Sequence, residues 1–117
     1  MKIARLQKRQ DFVRLNESGR TLVTPAFVVL SAPGTSSPPT VRIGFTASRK
    51  VGNSVIRNRA RRRLRAVVDQ LIRLNPQFTA PAPLDINLIA RYKVLTRDYA
   101  QLEQDLRRTL EELGCTC

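Results

Sequence analysis

Residues 49–65 read RKVGNSVIRNRARRRLR and carry eight basic side chains with no carboxylate among them. Arginine presents a planar fork of donors that matches phosphate oxygens and can stack on a base, so this spacing points to binding of a polyanion rather than to bond-breaking. Side chains of one sign repel one another, and a solvated helix face normally mixes signs. Something outside the chain is therefore expected to supply the negative charge. Acid–base catalysis needs positioned His, Asp, Glu or Cys, and the chain has no histidine. GNSVIRNR also lacks the Gly-Lys-Ser/Thr of a phosphate-gripping loop.

The charge is local. The 117 residues carry 21 basic and nine acidic side chains, a net +12. Between Glu17 and Asp69 lie ten of the basic residues and no acid, leaving eleven against nine elsewhere. That distribution indicates nucleic acid or an anionic membrane surface. No apolar run is long enough to span a membrane, and MKIARLQKRQDF lacks the apolar middle of a secretion signal, so a cytoplasmic protein is expected. Cys115 and Cys117 are too close for an unstrained disulfide and too few for a zinc site; residues 115–117 read as a flexible tail.

The elements that must position the arginines follow from periodicity. RQDFVRLNES reads as a first helix stopped by Gly19, with Phe12 and Leu15 on one side. LVTPAFVVLSA reads as a strand with Pro25 at an edge or bulge, PGTSSPP as a turn, and VRIGFTAS as an alternating strand. After Gly52 and Asn53, apolar residues at Ile56, Ala60, Leu64, Val67, Val68 and Leu71 form one stripe of a long helix. Asn58, Arg61, Arg62 and Arg65 then lie opposite that stripe, with Arg57, Arg59 and Arg63 along the flanks. LDINLIARY reads as a buried strand, and a last helix runs from Thr96 or Asp98 to Leu113. The order predicts one α/β domain over 1–117, a mixed central sheet of about four strands packed with three helices.

VGNSVIRNRARRRLR closely resembles the signature of the bacterial ribonuclease P protein subunit. The likeness extends to ARLQKRQDF, FVVL, RIGFTASRKVGN and DINLIARY. It implies an α/β sandwich whose strand–basic helix–strand crossover has the rare left hand, against the usual rule. It also implies a large catalytic RNA as partner, which holds the Mg2+ ions and removes the 5′ leader of precursor transfer RNA, the protein itself being non-catalytic. No small-molecule substrate is implied. By position, Arg57, Asn58, Arg59, Arg61, Arg62 and Arg65 would contact the RNA subunit. A cleft between the first helix and the sheet would take the leader, with Phe12, Phe45, Thr46, Ser48, Arg49 and Lys50 in or beside it and Arg91 and Lys93 at its edge. Asn16 and Leu30 stand where the family commonly has aromatics, so stacking on the leader would be thinner. Two other readings compete: a general RNA- or DNA-binding module such as a ribosome-associated protein, and a metal-dependent nuclease using Asp85 and Asp98.

Overall fold

A computed structural model describes residues 2–35 and 40–115. Five strands form one sheet: β1 (Ile3–Arg5), β2 (Arg20–Val23), β3 (Phe27–Pro33), β4 (Val41–Thr46) and β5 (Leu84–Ala90), in the spatial order β1-β4-β5-β3-β2. β1 and β5 run parallel to β4, whereas β3 is antiparallel to β5 and β2 antiparallel to β3. Three helices complete the fold: α1 (Arg9–Ser18), α2 (Ser54–Leu74) and α3 (Tyr99–Glu112), with a short 3-10 turn at Tyr92–Leu95.

Strand alternation assigns the two sheet faces. Val41 and Ile43 of β4, Ile86 and Leu88 of β5, and Phe27 and Val29 of β3 pack into one cluster with Ala60, Leu64, Val67, Val68 and Leu71 of α2 and Leu102, Leu106 and Leu110 of α3. The predicted apolar stripe of α2 is thus the seam that fastens the helix to the sheet. On the opposite face, Leu15 of α1 packs with Leu6 and Ala32, flanked by Phe12 and Leu30. Asn53 caps α2, its Oδ1 accepting from the Ile56 amide at 3.0 Å, and Asp98 caps α3 through the Ala100 amide at 2.9 Å.

The architecture differs from expectation in three places. The segment read as one strand is a hairpin, because Thr24 closes a tight turn on Phe27 through both its amide and its hydroxyl, with Pro25 inside that turn. The three-residue β1 is too short to show alternation and exists through its pairing with β4. Cys115 does not belong to a flexible tail: it is fully buried in the main core, and its amide donates to the Leu110 carbonyl at 3.0 Å. Residues 116 and 117 of that expected tail lie outside the described residues. Burial pushes the Cys115 thiol pKa up and screens it from reagents, so peptide mapping should find it unmodified by iodoacetamide in native protein and modified after unfolding.

Gly19 ends α1 as expected, but for a different reason. Its backbone is extended rather than left-handed, and a Cβ there would strike the Leu15 carbonyl oxygen.

Candidate nucleic-acid interface

The basic helix meets the expected arrangement only in part: Asn58 and Arg62 lie outward as the periodicity predicts, but Arg59, expected on a flank, is exposed, and Arg61 and Arg65, expected on the outer face, are half-buried. Asn58, Arg59 and Arg62 are exposed, while Arg57, Arg61, Arg63 and Arg65 are half-buried along the flanks. Among the described residues none of the six arginines from Arg57 to Arg65 forms an ion pair. Arg61 donates to the Asn58 side-chain oxygen, which holds the two groups together on the outer face. The Nε atoms of Arg57 and Arg65 are buried without a partner, so the side-chain stems lie against the protein. Such a face is suited to phosphate oxygens, which supply both acceptors and the missing charge.

Arg63 has another task. Its guanidinium donates to the carbonyls of Val94 at 2.6 Å and Arg97 at 2.5 Å and lies 4.2 Å from the centroid of the Tyr99 ring. It ties α2 to the entrance of α3. Arg63→Ala should lower stability by about 2 kcal/mol in urea titration, the scale of lost charged hydrogen bonds.

The second surface is the sheet face carrying Gly44, Thr46, Asn87 and Leu30, on which α1 packs through Phe12 and Leu15. Phe12 lies on Gly44 so closely that a Cβ at Gly44 would collide with its ring. Thr46 donates to the Asn87 Oδ1 at 3.0 Å. Because β4 and β5 are parallel, Ser48, Arg49 and Lys50 after β4 and Arg91 and Lys93 after β5 rim one end of the sheet, all five exposed. Arg91 also donates to the Thr24 carbonyl at 2.9 Å, anchoring that rim to the hairpin.

Phe45 does not join Phe12. It belongs to the α2 face of the sheet, packed against the main core, with the Arg65 guanidinium 5.6 Å from its ring centroid. The alternation of VRIGFTAS contained this result, since Phe45 and Thr46 must point to opposite faces. The resemblance alone places it beside the leader.

Asp85, with three residues not singled out from sequence, Arg42, Arg14 and Asp11, locks α1 over the sheet. Asp85 is wholly buried and accepts from Arg42 at 2.8 and 2.6 Å and also from Arg14. Arg42 in turn reaches Asp11 on α1 at 3.4 Å. Hydrogen bonding to Asp85, with the charges of Asp85 and Asp11, raises the Arg42 pKa against the opposing effect of desolvation. This arrangement removes Asp85 from consideration as a metal ligand, and Asp98 serves as a helix cap. Among the described residues no group of three or more His, Cys, Asp or Glu side chains is placed to hold a metal ion. The described residues thus do not form a magnesium site, and no chemical step is assigned to a metal held by the protein.

The ribonuclease P family model matches residues 1–114. The chain belongs to the ribonuclease P protein family. It is 41% identical to the ribonuclease P protein component of Paramagnetospirillum magneticum over 116 residues, covering 97% of this chain and 84% of that relative. The corresponding component from Gluconacetobacter diazotrophicus is 43% identical over 110 residues, covering 94% and 90%. The solved ribonuclease P protein from Thermotoga maritima superposes with a TM-score of 0.69 at 28% identity, over 92% of this chain and 96% of that one. A Staphylococcus aureus ribonuclease P protein shares the fold, with a TM-score of 0.70 at 23% identity over 94% of each chain. Membership makes this chain the protein subunit of an endoribonuclease that acts in transfer RNA processing as a ribonucleoprotein, with ribonuclease P RNA as its partner. No helix is long and apolar enough to cross a membrane among the described residues.

Proposed function

We propose that the outer face of α2 is the docking surface for ribonuclease P RNA, and that the groove between α1 and the sheet holds the single-stranded 5′ leader of precursor transfer RNA. The RNA, with the Mg2+ it binds, performs the hydrolysis. The protein supplies cations and a shaped surface that favour the precursor. The observation that carries this reading is that Arg57, Arg59, Arg61, Arg62 and Arg65 of one helix form no ion pair among the described residues.

Within the groove Phe12 provides the stacking platform, and the rim of Ser48, Arg49, Lys50, Arg91 and Lys93 tracks the leader backbone. Phe45 is reassigned to the RNA-docking side, because Arg65 covers it. A base stacked on one aromatic is worth about 1–3 kcal/mol whatever its identity. Phe12→Ala should therefore reduce the preference of the holoenzyme for precursor over mature transfer RNA by roughly five- to a hundredfold, measured by competition. Phe45→Ala should weaken binding to ribonuclease P RNA and leave that preference in place. Equal affinity of the wild-type holoenzyme for precursor and mature transfer RNA would favour a general RNA-binding module instead.

A further inference from the structure

The chain has four Phe, two Tyr and no Trp, and five of these six rings are covered. Phe27 and Phe78 are buried in the main core. Phe12 lies on Gly44, Arg65 stands over Phe45, and Arg63 stands over Tyr99. Tyr92 is the exception. It is 67% exposed, and among the described residues no cation lies over its ring.

The backbone that carries this ring is fixed from three sides. Tyr92 opens the 3-10 turn Tyr92–Leu95. The Arg91 amide donates to the Ala26 carbonyl at 2.8 Å and its guanidinium to the Thr24 carbonyl at 2.9 Å, so the β2–β3 hairpin holds the start of the turn. Val94 is fully buried in the main core, and Leu95 packs against that core. Arg63 of α2 donates to the Val94 carbonyl at 2.6 Å. A ring on so firmly held a turn loses little freedom when a flat group covers it. Tyr92 also lies on the α2 side of the sheet: residues three apart in a 3-10 turn stand one above the other, and its counterpart Leu95 belongs to the cluster on that side. Arg59, exposed and without an ion pair among the described residues, stands one helical turn before Arg63 on the same flank of α2. The turn thus extends the arginine face sideways and adds an open aromatic ring to a surface otherwise made of cations.

We infer that Tyr92 is a stacking platform for an unpaired nucleotide of ribonuclease P RNA, beside the segment whose phosphates the α2 arginines hold. Phosphates alone make no use of an aromatic face, whereas an unpaired base stacks on one whatever its identity. The occupant is the RNA subunit rather than the leader, because the turn packs with α2 and the leader surface lies on the opposite face of the sheet. The inference rests on the reading that α2 docks this RNA, and adds to that interface a contact made through a base instead of through charge.

The test measures binding of ribonuclease P RNA to the full chain. Tyr92→Ala should weaken it by roughly five- to a hundredfold, and Tyr92→Phe should keep it within about twofold, since stacking needs the ring and not the hydroxyl. A stacked base neutralises no phosphate, so the slope of log affinity against log salt should be the same in Tyr92→Ala as in the wild type. The chain has no Trp, so Tyr92→Trp supplies a single emitter whose fluorescence should be quenched as the RNA docks. Thermal melts of each variant should match the wild type, because so exposed a ring contributes little to the fold. Affinity within about twofold of wild type in Tyr92→Ala, or equal losses in Tyr92→Ala and Tyr92→Phe, overturns the inference. So does a reduced preference of the Tyr92→Ala holoenzyme for precursor over mature transfer RNA with affinity for ribonuclease P RNA intact, which would give the ring to the leader. If alanine at Arg59, Arg61, Arg62 and Arg65 lowers affinity and Tyr92→Ala does not, only this inference falls; if neither lowers it, docking on α2 falls as well.

Discussion

Replacing Arg59, Arg61, Arg62 and Arg65 together by alanine should lower affinity for ribonuclease P RNA by on the order of 10²–10³-fold at about 0.1 M salt, taking roughly 1 kcal/mol for each lost phosphate contact. The fold should survive. Arg59 and Arg62 are exposed, and Arg61 and Arg65 bond no backbone carbonyl among the described residues. Alanine is at least as good a helix former as arginine, and removing four like charges relieves repulsion. Circular dichroism should show α2 intact in the variant whose binding has collapsed. Lost helicity would mean that these side chains build the domain, and retained affinity would mean that the RNA docks elsewhere. Arg63 is left out of the set because it holds α2 to the start of α3.

A second large effect is expected at Asp85. This carboxylate has no exposure and is shared by Arg42 and Arg14, whose side chains keep 25% and 36% of theirs. Breaking a buried pair by removing one partner typically costs about 3–5 kcal/mol. Both arginines can turn partly toward water, which places the expected loss for Asp85→Ala at the lower end, about 3 kcal/mol, or roughly a 10 °C fall in melting temperature. Asp85→Asn should lose less, since the amide oxygen still accepts. The damage should centre on α1, because Arg14 belongs to that helix and Arg42 reaches its Asp11. Hydrogen exchange should report faster opening of α1 than of α2. A stability change below about 0.5 kcal/mol, the range of ordinary surface substitutions, would show that the cluster does not hold the helix.

The difference between these two regions explains what could be read from the chain. α2 was legible because its apolar residues repeat at helical spacing over about four turns, although that repeat placed Arg59 on a flank and Arg61 and Arg65 outward, where the structure exposes Arg59 and half-buries the other two. α1 and α3 followed from shorter stripes with clear ends, at Gly19 and Asp98. Pairing-dependent features were not legible. β1 has three residues and takes its strand character from β4; the β2–β3 hairpin depends on how Thr24 meets Phe27 rather than on the proline beside it. The Asp85–Arg42 contact joins residues 43 apart, and no local pattern announces it. Cys115 looked like the start of a frayed end because nothing in the sequence shows that the chain folds back over Leu110 to bury it.

The two sheet faces teach a related lesson. Phe45 and Thr46 are neighbours in the chain and would serve different RNA surfaces, one beside Arg65 and one beside Asn87. Period-two alternation separates them, whereas motif position alone places them together. The arginine-bearing α2 and the α1 helix are thus set on opposite faces of the sheet, held apart by the strands that carry both.

The most direct test of the RNA-docking face is the salt dependence of wild-type binding to ribonuclease P RNA. If the five guanidiniums from Arg57 to Arg65, Arg63 excepted, neutralise phosphates, log affinity should fall against log salt concentration with a slope of about −3.5 or steeper. A slope shallower than about −1 would contradict the account, since it would mean that almost none of this bare cationic surface meets the RNA backbone.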